Sequence, residues 1–448
     1  MTSQERIAFA LSIATDTKLF EMGRGASRKA PEVFQHFFPG RKALVVTDVN
    51  IWPVLGEKVY DLMLSAGIPT ERFIIQEKSF HAEWKYVEMV DAALDAHPDA
   101  VLVSVGSGVI NDLCKLSSHH HEQSYLTLPT AASVDGYSSF GASITFEGAK
   151  QTFSCPAPVA IVADIDVIAA APAWMTAAGY ADLAAKVPAG GEWMVADFVG
   201  TAPIHADAWK VLQDYLDDFL AHPEAVAAGD PDAIADIFEG LTLSGFAMQA
   251  ARSSRPASCC DHLFSHILDM TEHRYKGELQ SHGFQVAIGT LTMCAVFDEL
   301  FKLDLSALDV DACVAAWPSL EQEQARALEI FKDFPAPRLG YDEITKKYQG
   351  AEEVRAQLDK LKAEWPSFKA RLQGQVYSYD KMKALLKAAG APYEPEQIGV
   401  SRQQLRDMFP KVQLMRFRFN LLDLAKRGGF YDAIVDPLFS PGGPFAIV

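Results

Sequence analysis

Four short apolar runs rich in β-branched residues punctuate the first third of the chain: Lys42–Thr47, Arg72–Ile75, Ala100–Val105 and Tyr125–Leu128. Between them, apolar residues recur at helical spacing near Trp52–Ala66, Glu83–His97 and Val109–Ser117. Runs this short and this continuously apolar suit strands covered on both faces, so the alternation predicts a parallel sheet flanked by helices. A second β-rich patch covers Ala142–Phe146, Thr152–Phe153 and Val159–Ala163. From Asp166 onward the spacing turns helical, with breakers at Pro172, Gly179, Gly190-Gly191, Pro203, Pro223, Gly229, Pro256 and Gly277. The pattern predicts an α/β domain over residues 1–165 and an α-helical domain over 166–448. Within the latter, Leu305–Gly399 is richer in charge and reads as exposed helices.

Composition narrows the partners more than the fold. At 448 residues, 49 % hydrophobic and 22 % charged, the chain is long enough for two or three cores. A formal net charge of −18 argues against nucleic acid and anionic membrane surfaces as partners. A phosphorylated ligand would then depend on helix N-termini and a few placed cations. No apolar run approaches the ~20 residues of a spanning helix, and the N-terminus has no basic-then-apolar signal pattern. Six irregularly spaced cysteines make neither a disulfide framework nor a CxxC pair, so a reduced cytoplasm is expected.

Two groups of residues carry candidate chemistry. Gly106-Ser107-Gly108 follows a strand and opens a helix, as a phosphate-binding turn does, although glycine turns of this kind also serve purely as connections. Asp48 ends an earlier strand, where a carboxylate can accept from a ribose 2′-hydroxyl and repel a 2′-phosphate, or can cap the next helix. A hydroxyl-rich loop, Leu128–Ser139, follows the fourth strand and contains Asp135. Such loops often satisfy their own backbone. Downstream, Asp182 lies in a helical stretch, His262 and His266 share a helix face at i and i+4, and His282 precedes a glycine and an apolar helix. One carboxylate and two imidazoles, Asp182, His262 and His282, can hold a divalent ion and leave positions open for a substrate oxygen. Glu192, Asp261 and His273 are the substitutes.

These segments resemble the iron-containing alcohol dehydrogenase and dehydroquinate synthase superfamily, and most closely its sn-glycerol-1-phosphate dehydrogenase branch. The resemblance runs from about Thr17 to Ile288 and resumes at Met415–Ala425. Its motifs are Gly106-Ser-Gly-Val-Ile-Asn-Asp112 with Lys115, Pro129-Thr-Ala-Ala-Ser-Val-Asp135, Lys150-Gln-Thr152, Ala157-Pro158 and Asp164-Ile-Asp166. It implies a dehydroquinate synthase-like fold whose Rossmann-like N-terminal domain binds NAD(P), followed by an all-α metal-binding domain. It places the metal on Asp182, His262 and His282, the ion being zinc, nickel or iron. It implies cofactor contacts from Asp48, Gly106, Ser107, Gly108, Asp112, Thr130, Ser133 and Ser139, and substrate-facing roles for Asp135, Arg255 and His266. The expected partner is a small polyol phosphate, and the expected assembly a homo-oligomer, a dimer or larger.

The sequence departs from that branch at three places. Ala181 stands where a glycine is usual, Cys259-Cys260-Asp261 replaces a Gly-Ser-Glu-like stretch, and Phe284 replaces an acidic residue after His-Gly. A cyclase of the dehydroquinate synthase type is the first rival reading. Against it, Asp135-Gly-Tyr-Ser-Ser-Phe-Gly141 lacks the lysine that group resembles here, and Asp182 stands where that group uses glutamate. A non-catalytic nucleotide-binding homologue is the second rival.

Overall fold

The structure, a computed structural model, describes residues 1–147 and 149–447. The side chain of Lys150, from the Lys150-Gln-Thr152 stretch, lies outside that description, as does that of Ala149. By contacts the chain divides into two units. The first comprises Met1–Leu183, Ala206–Pro256 and Ala388–Gly390; the second comprises Ala184–His205, Ala257–Lys387 and Ala391–Val448. The chain passes from strand to helix at Asp164 and Ile165, yet the first unit reaches beyond that point. It does so because the helices Ala173–Ala184 and Pro231–Ala251 press on the loop that follows the fifth strand. A Cβ on Gly179 would meet the Ala132 carbonyl at 2.0 Å, and one on Gly245 would meet the Ser138 hydroxyl at 2.0 Å.

In the first unit the strands are β1 (Leu19–Gly23), β2 (Lys42–Asp48), β3 (Thr70–Ile75), β4 (Ala100–Gly106), β5 (Leu126–Pro129), β6 (Ala142–Phe146), β7 (Ala149–Phe153) and β8 (Ala160–Asp164). Six of them form one all-parallel sheet in the order β1-β8-β5-β4-β2-β3, and β6 and β7 pair as an antiparallel hairpin. The expected parallel sheet is present, with one strand more than the hydrophobic pattern revealed. β1 escaped because it lies at the sheet's edge and buries only Phe20. β4 is buried at every position, as a central strand covered on both faces should be.

Alternate residues of the sheet feed two cores. Val45, Val101, Val103 and Val105 pack with the helices Ala30–Phe37 and Glu57–Ser65. Leu44, Val46 and Leu102 pack on the other face with Trp84–Asp95 and Gly108–His120. The chain therefore leaves the neighbouring ends of β2 and β4 toward opposite faces. Open α/β sheets bind ligands just outside the strand ends at such a switch point. Here those ends are Asp48 and Gly106.

The second unit is helical except for a small hairpin, Arg274–Tyr275 with Glu278–Leu279. Gly190-Gly191, expected to break helical structure, instead lies inside the helix Lys186–Phe198. A Cβ on Gly191 would approach Val376 to 2.4 Å and Phe297 to 3.0 Å, so close packing, not a turn, explains this glycine. The charged stretch near the C-terminus is exposed on one side only. Its long helix Ala351–Gln375 buries Val354, Leu358, Leu361, Trp365, Phe368 and Leu372 at helical spacing. Helices Cys260–Met270 and His282–Leu300 cross so tightly that a Cβ on Gly289 would fall 2.0 Å from the Asp261 carbonyl.

Candidate cofactor and metal sites

In the first unit, the turn after β4 is built for close backbone approach. A Cβ on Gly106 would lie 2.6 Å from that of Ile110, because the helix starts at once. Gly108 faces Val134, whose methyl group would sit 3.1 Å from an added Cβ. Ser107 is the N-cap of the helix Gly108–His120, and its side chain makes no capping bond. The first-turn N–H groups and the positive end of the helix dipole thus suit a phosphate.

The neighbouring residues tie this turn to the loop after β5 and to the β6–β7 hairpin. Lys115 is buried and donates to the carbonyls of Gly136 (2.8 Å) and Gly141 (3.0 Å), so it holds the loop after β5. Asn111 donates to Gly136 as well and accepts from Tyr125. Asp112 accepts from the N–H of Ser143 at 3.2 Å, which ties the helix to the β6–β7 hairpin. The Thr130 N–H donates to the Gly106 carbonyl, and Ser133 lies 3.4 Å from the Tyr137 hydroxyl. Ser139 sits 3.5 Å from the Gly136 carbonyl. Asp48 is buried, and its Oδ1 accepts from the N–H groups of Asn50 (2.8 Å) and Ile51 (3.1 Å). That is the capping role, made with one carboxylate oxygen.

Asp182 and Asp135 meet in the same unit. Asp182 lies in the last turn of Ala173–Ala184, is fully buried, and accepts from the Asp135 N–H at 3.0 Å. Asp135 in turn accepts from the Ser244 hydroxyl at 3.0 Å. Gly179 lets this helix touch the loop, and Ala181, the departure from the usual glycine, is fully buried. Arg255 is buried in the turn after Pro231–Ala251, where its N–H donates to the Ser253 hydroxyl.

In the second unit, the two histidines come together. His262 and His282 have ring centroids 5.3 Å apart. Asp261 accepts from the Cys259 N–H and takes the Nδ1 hydrogen of His262 in a short contact. A carboxylate there fixes the imidazole with its lone pair on Nε2, the arrangement that metal-bound histidines show. Nδ1 of His282 lies 3.1 Å from the Ser265 hydroxyl. The two imidazoles, His262 buried and His282 half-buried, each with a partner at Nδ1, fit a divalent ion that takes nitrogen donors. His266, one turn after His262, is half-buried. Of the substitute ligands, Asp261 orients His262, His273 bonds the Ile398 carbonyl at 2.7 Å, and Glu192 accepts two backbone N–H groups. Ser265, Ser244 and the supporting role of Asp261 escaped the sequence pattern, since nothing in spacing separates a residue that holds a ligand from one that is a ligand.

Residues 21–172 match the sequence profile of the iron-containing alcohol dehydrogenase family. The glycerol-1-phosphate dehydrogenase (NAD(P)+) of Halalkalibacterium halodurans is 31 % identical over 281 residues, 62 % of this chain and 70 % of that protein. The protein of the same name from Bacillus subtilis is 32 % identical over 272 residues, covering 58 % and 67 %. A solved structure described as a probable glycerol dehydrogenase from Sinorhizobium meliloti shares the fold, with a TM-score of 0.58, 16 % identity and coverage of 94 % of this chain and 96 % of that one. Sheet topology and matches define the class, the dehydrogenases that join a parallel-sheet unit to a helical one. The chain belongs to the iron-containing alcohol dehydrogenase superfamily, in its glycerol-1-phosphate dehydrogenase branch.

Proposed function

We propose that the protein is an NAD(P)-linked oxidoreductase that interconverts dihydroxyacetone phosphate and sn-glycerol 1-phosphate, with Asp182, His262 and His282 holding one divalent ion. The observation that carries the reading is the pair of imidazoles fixed at Nδ1, within a chain whose relatives are named for this activity. When bound, the ion supplies Lewis-acid polarisation of the substrate oxygen and the dinucleotide supplies the hydride acceptor or donor. The chain does the positioning. Gly106, Ser107 and Gly108 receive the pyrophosphate at the helix N-terminus, and Thr130, Ser133 and Ser139 line the same loop region. Asp112 keeps the β6–β7 hairpin beside that helix. Asp48 offers its second oxygen to the ribose while the first caps the turn.

On the substrate side, Asp135 faces the polyol and His266 holds the transferable proton, since imidazole titrates near neutral pH. Arg255 pairs with the phosphate, its planar fork matching the anion in a chain of net charge −18. The cyclase reading has less behind it, because the loop Asp135–Gly141 has no lysine. Arg255→Ala tests the substrate assignment. It should raise KM for dihydroxyacetone phosphate and leave KM for NADH nearly unchanged, with a loss of ~2–3 kcal/mol, about a hundredfold in kcat/KM. Wild-type efficiency with the phosphorylated substrate would remove Arg255 as its anchor and favour an unphosphorylated polyol.

A further inference from the structure

The stretch where the chain departs from its branch, Cys259-Cys260, lies against a buried glutamate. Glu192, in the helix Lys186–Phe198, is fully buried, and so is Cys260; Cys259 is nearly so. One ligand atom from each of the three, a carboxylate oxygen and two sulfurs, lies within 4.8 Å of the others. The Cys260 thiol faces both Cys259 and Glu192. Glu192 accepts from the N–H of Cys260 at 2.8 Å and from the N–H of Leu421 at 3.1 Å.

Charge makes the arrangement unusual. Among the described residues no lysine, arginine or histidine pairs with Glu192, and the nearby carboxylate of Asp261 adds a second negative group. Burial, followed by Asp261, pushes the Glu192 carboxyl above the usual carboxylate range. A carboxylate enclosed with two thiols and no countercharge either keeps its proton or takes a cation. Two sulfurs and one oxygen favour a soft or borderline metal over magnesium or calcium.

We propose that Glu192, Cys259 and Cys260 form a sulfur-rich metal site of their own, separate from His262 and His282, that takes a thiophilic divalent ion of the zinc class. Both thiol protons leave on binding, and the two thiolates and the Glu192 carboxylate then give the ion three protein donors and the site a net charge of −1. The ion would join the helix Lys186–Phe198 to the start of Cys260–Met270, and so would hold the helix that carries His262. Its place is structural.

Cobalt is the probe, because thiolate ligation gives Co2+ an intense near-ultraviolet charge-transfer absorption that nitrogen and oxygen donors do not. The full-length protein, purified from cells grown on cobalt, should carry about two ions per chain and show that absorption. The double variant Cys259→Ser/Cys260→Ser should keep about one ion and lose the absorption, whereas His282→Ala should keep the absorption. Glu192→Gln, which preserves volume, should release cobalt from the sulfur site to a chelator sooner than wild type does. If the serine variant does not fold, the wild-type spectrum and stoichiometry decide alone. A wild-type protein with about one cobalt and no thiolate absorption, or a serine variant that keeps the absorption, overturns the site. The readouts are metal content and a spectrum, not turnover, so the sulfur site can fail while the proposed reaction stands, and the reverse.

Discussion

Asp261 accepts from the backbone at Cys259 and from Nδ1 of His262, and this pair of contacts decides which nitrogen of the imidazole carries the lone pair. Asn at this position can accept through one oxygen only, so Asp261→Asn should weaken metal binding ~10–100-fold, the usual loss when an orienting partner is removed. Competition with a chelator measures it; unchanged affinity would mean that His262 needs no orienting. Asp48 poses a similar question about one side chain with two uses. Asp48→Asn keeps an oxygen for the N–H groups of Asn50 and Ile51 and removes the charge. The ratio of kcat/KM for NADPH to that for NADH should rise by an amount worth ~1–3 kcal/mol, with little change in melting temperature. A constant ratio would leave Asp48 as a cap alone. At this scale the sequence was legible where chemistry singles out a residue type, as with His262 and His282, which the fold brings side by side. It was mute where a common residue acts on another, as Ser265 does on His282 and Ser244 on Asp135.

Elements meet through glycines, and the same residue type means different things in different helices. Gly289 lies where His282–Leu300 crosses Cys260–Met270, with the Asp261 carbonyl 2.0 Å from an added Cβ. Backbone cannot yield there cheaply, so Gly289→Ala should destabilise by ~3 kcal/mol, the upper end of the usual overpacking cost, and shift both histidines. Gly374, exposed near the end of Ala351–Gln375, has nothing within 4 Å. Gly374→Ala should be neutral or stabilising by up to ~1 kcal/mol. Thermal melts of the two variants check the contrast, and equal effects would contradict the packing account. The hydrophobic pattern could not separate these cases. It read Gly179 and Gly190-Gly191 as breakers although both lie inside helices, because a contact glycine and a turn glycine look alike before the partner segment is known. Strand periodicity served better: β2, β4 and β5 are buried runs at the centre of the sheet, whereas the edge strand β1 carries too little apolar surface to be seen.

For the molecule as a whole, the switch point of the sheet and the oriented histidine pair belong to a chain with net charge −18, in which no described helix is long and apolar enough to cross a membrane. Global charge works against any phosphorylated ligand, so recognition has to be local: the proposal gives the cofactor's pyrophosphate to the helix N-terminus at Gly108 and the substrate's phosphate to Arg255. The choice of metal among zinc, nickel and iron was never legible, since Asp/His/His ligation suits all three. The branch was legible from its motifs, and the exact substrate was not, because Cys259-Cys260-Asp261 alters the segment next to a proposed ligand. The most direct test is the rate of NADH oxidation by the metal-loaded protein with dihydroxyacetone phosphate, set beside unphosphorylated dihydroxyacetone and beside the same protein stripped by a chelator. The account predicts turnover of the phosphorylated substrate at least about a hundredfold more efficient than of the unphosphorylated one, abolished by stripping and restored by a divalent ion. Equal efficiency with both ketones, or full activity after the metal is gone, would contradict it.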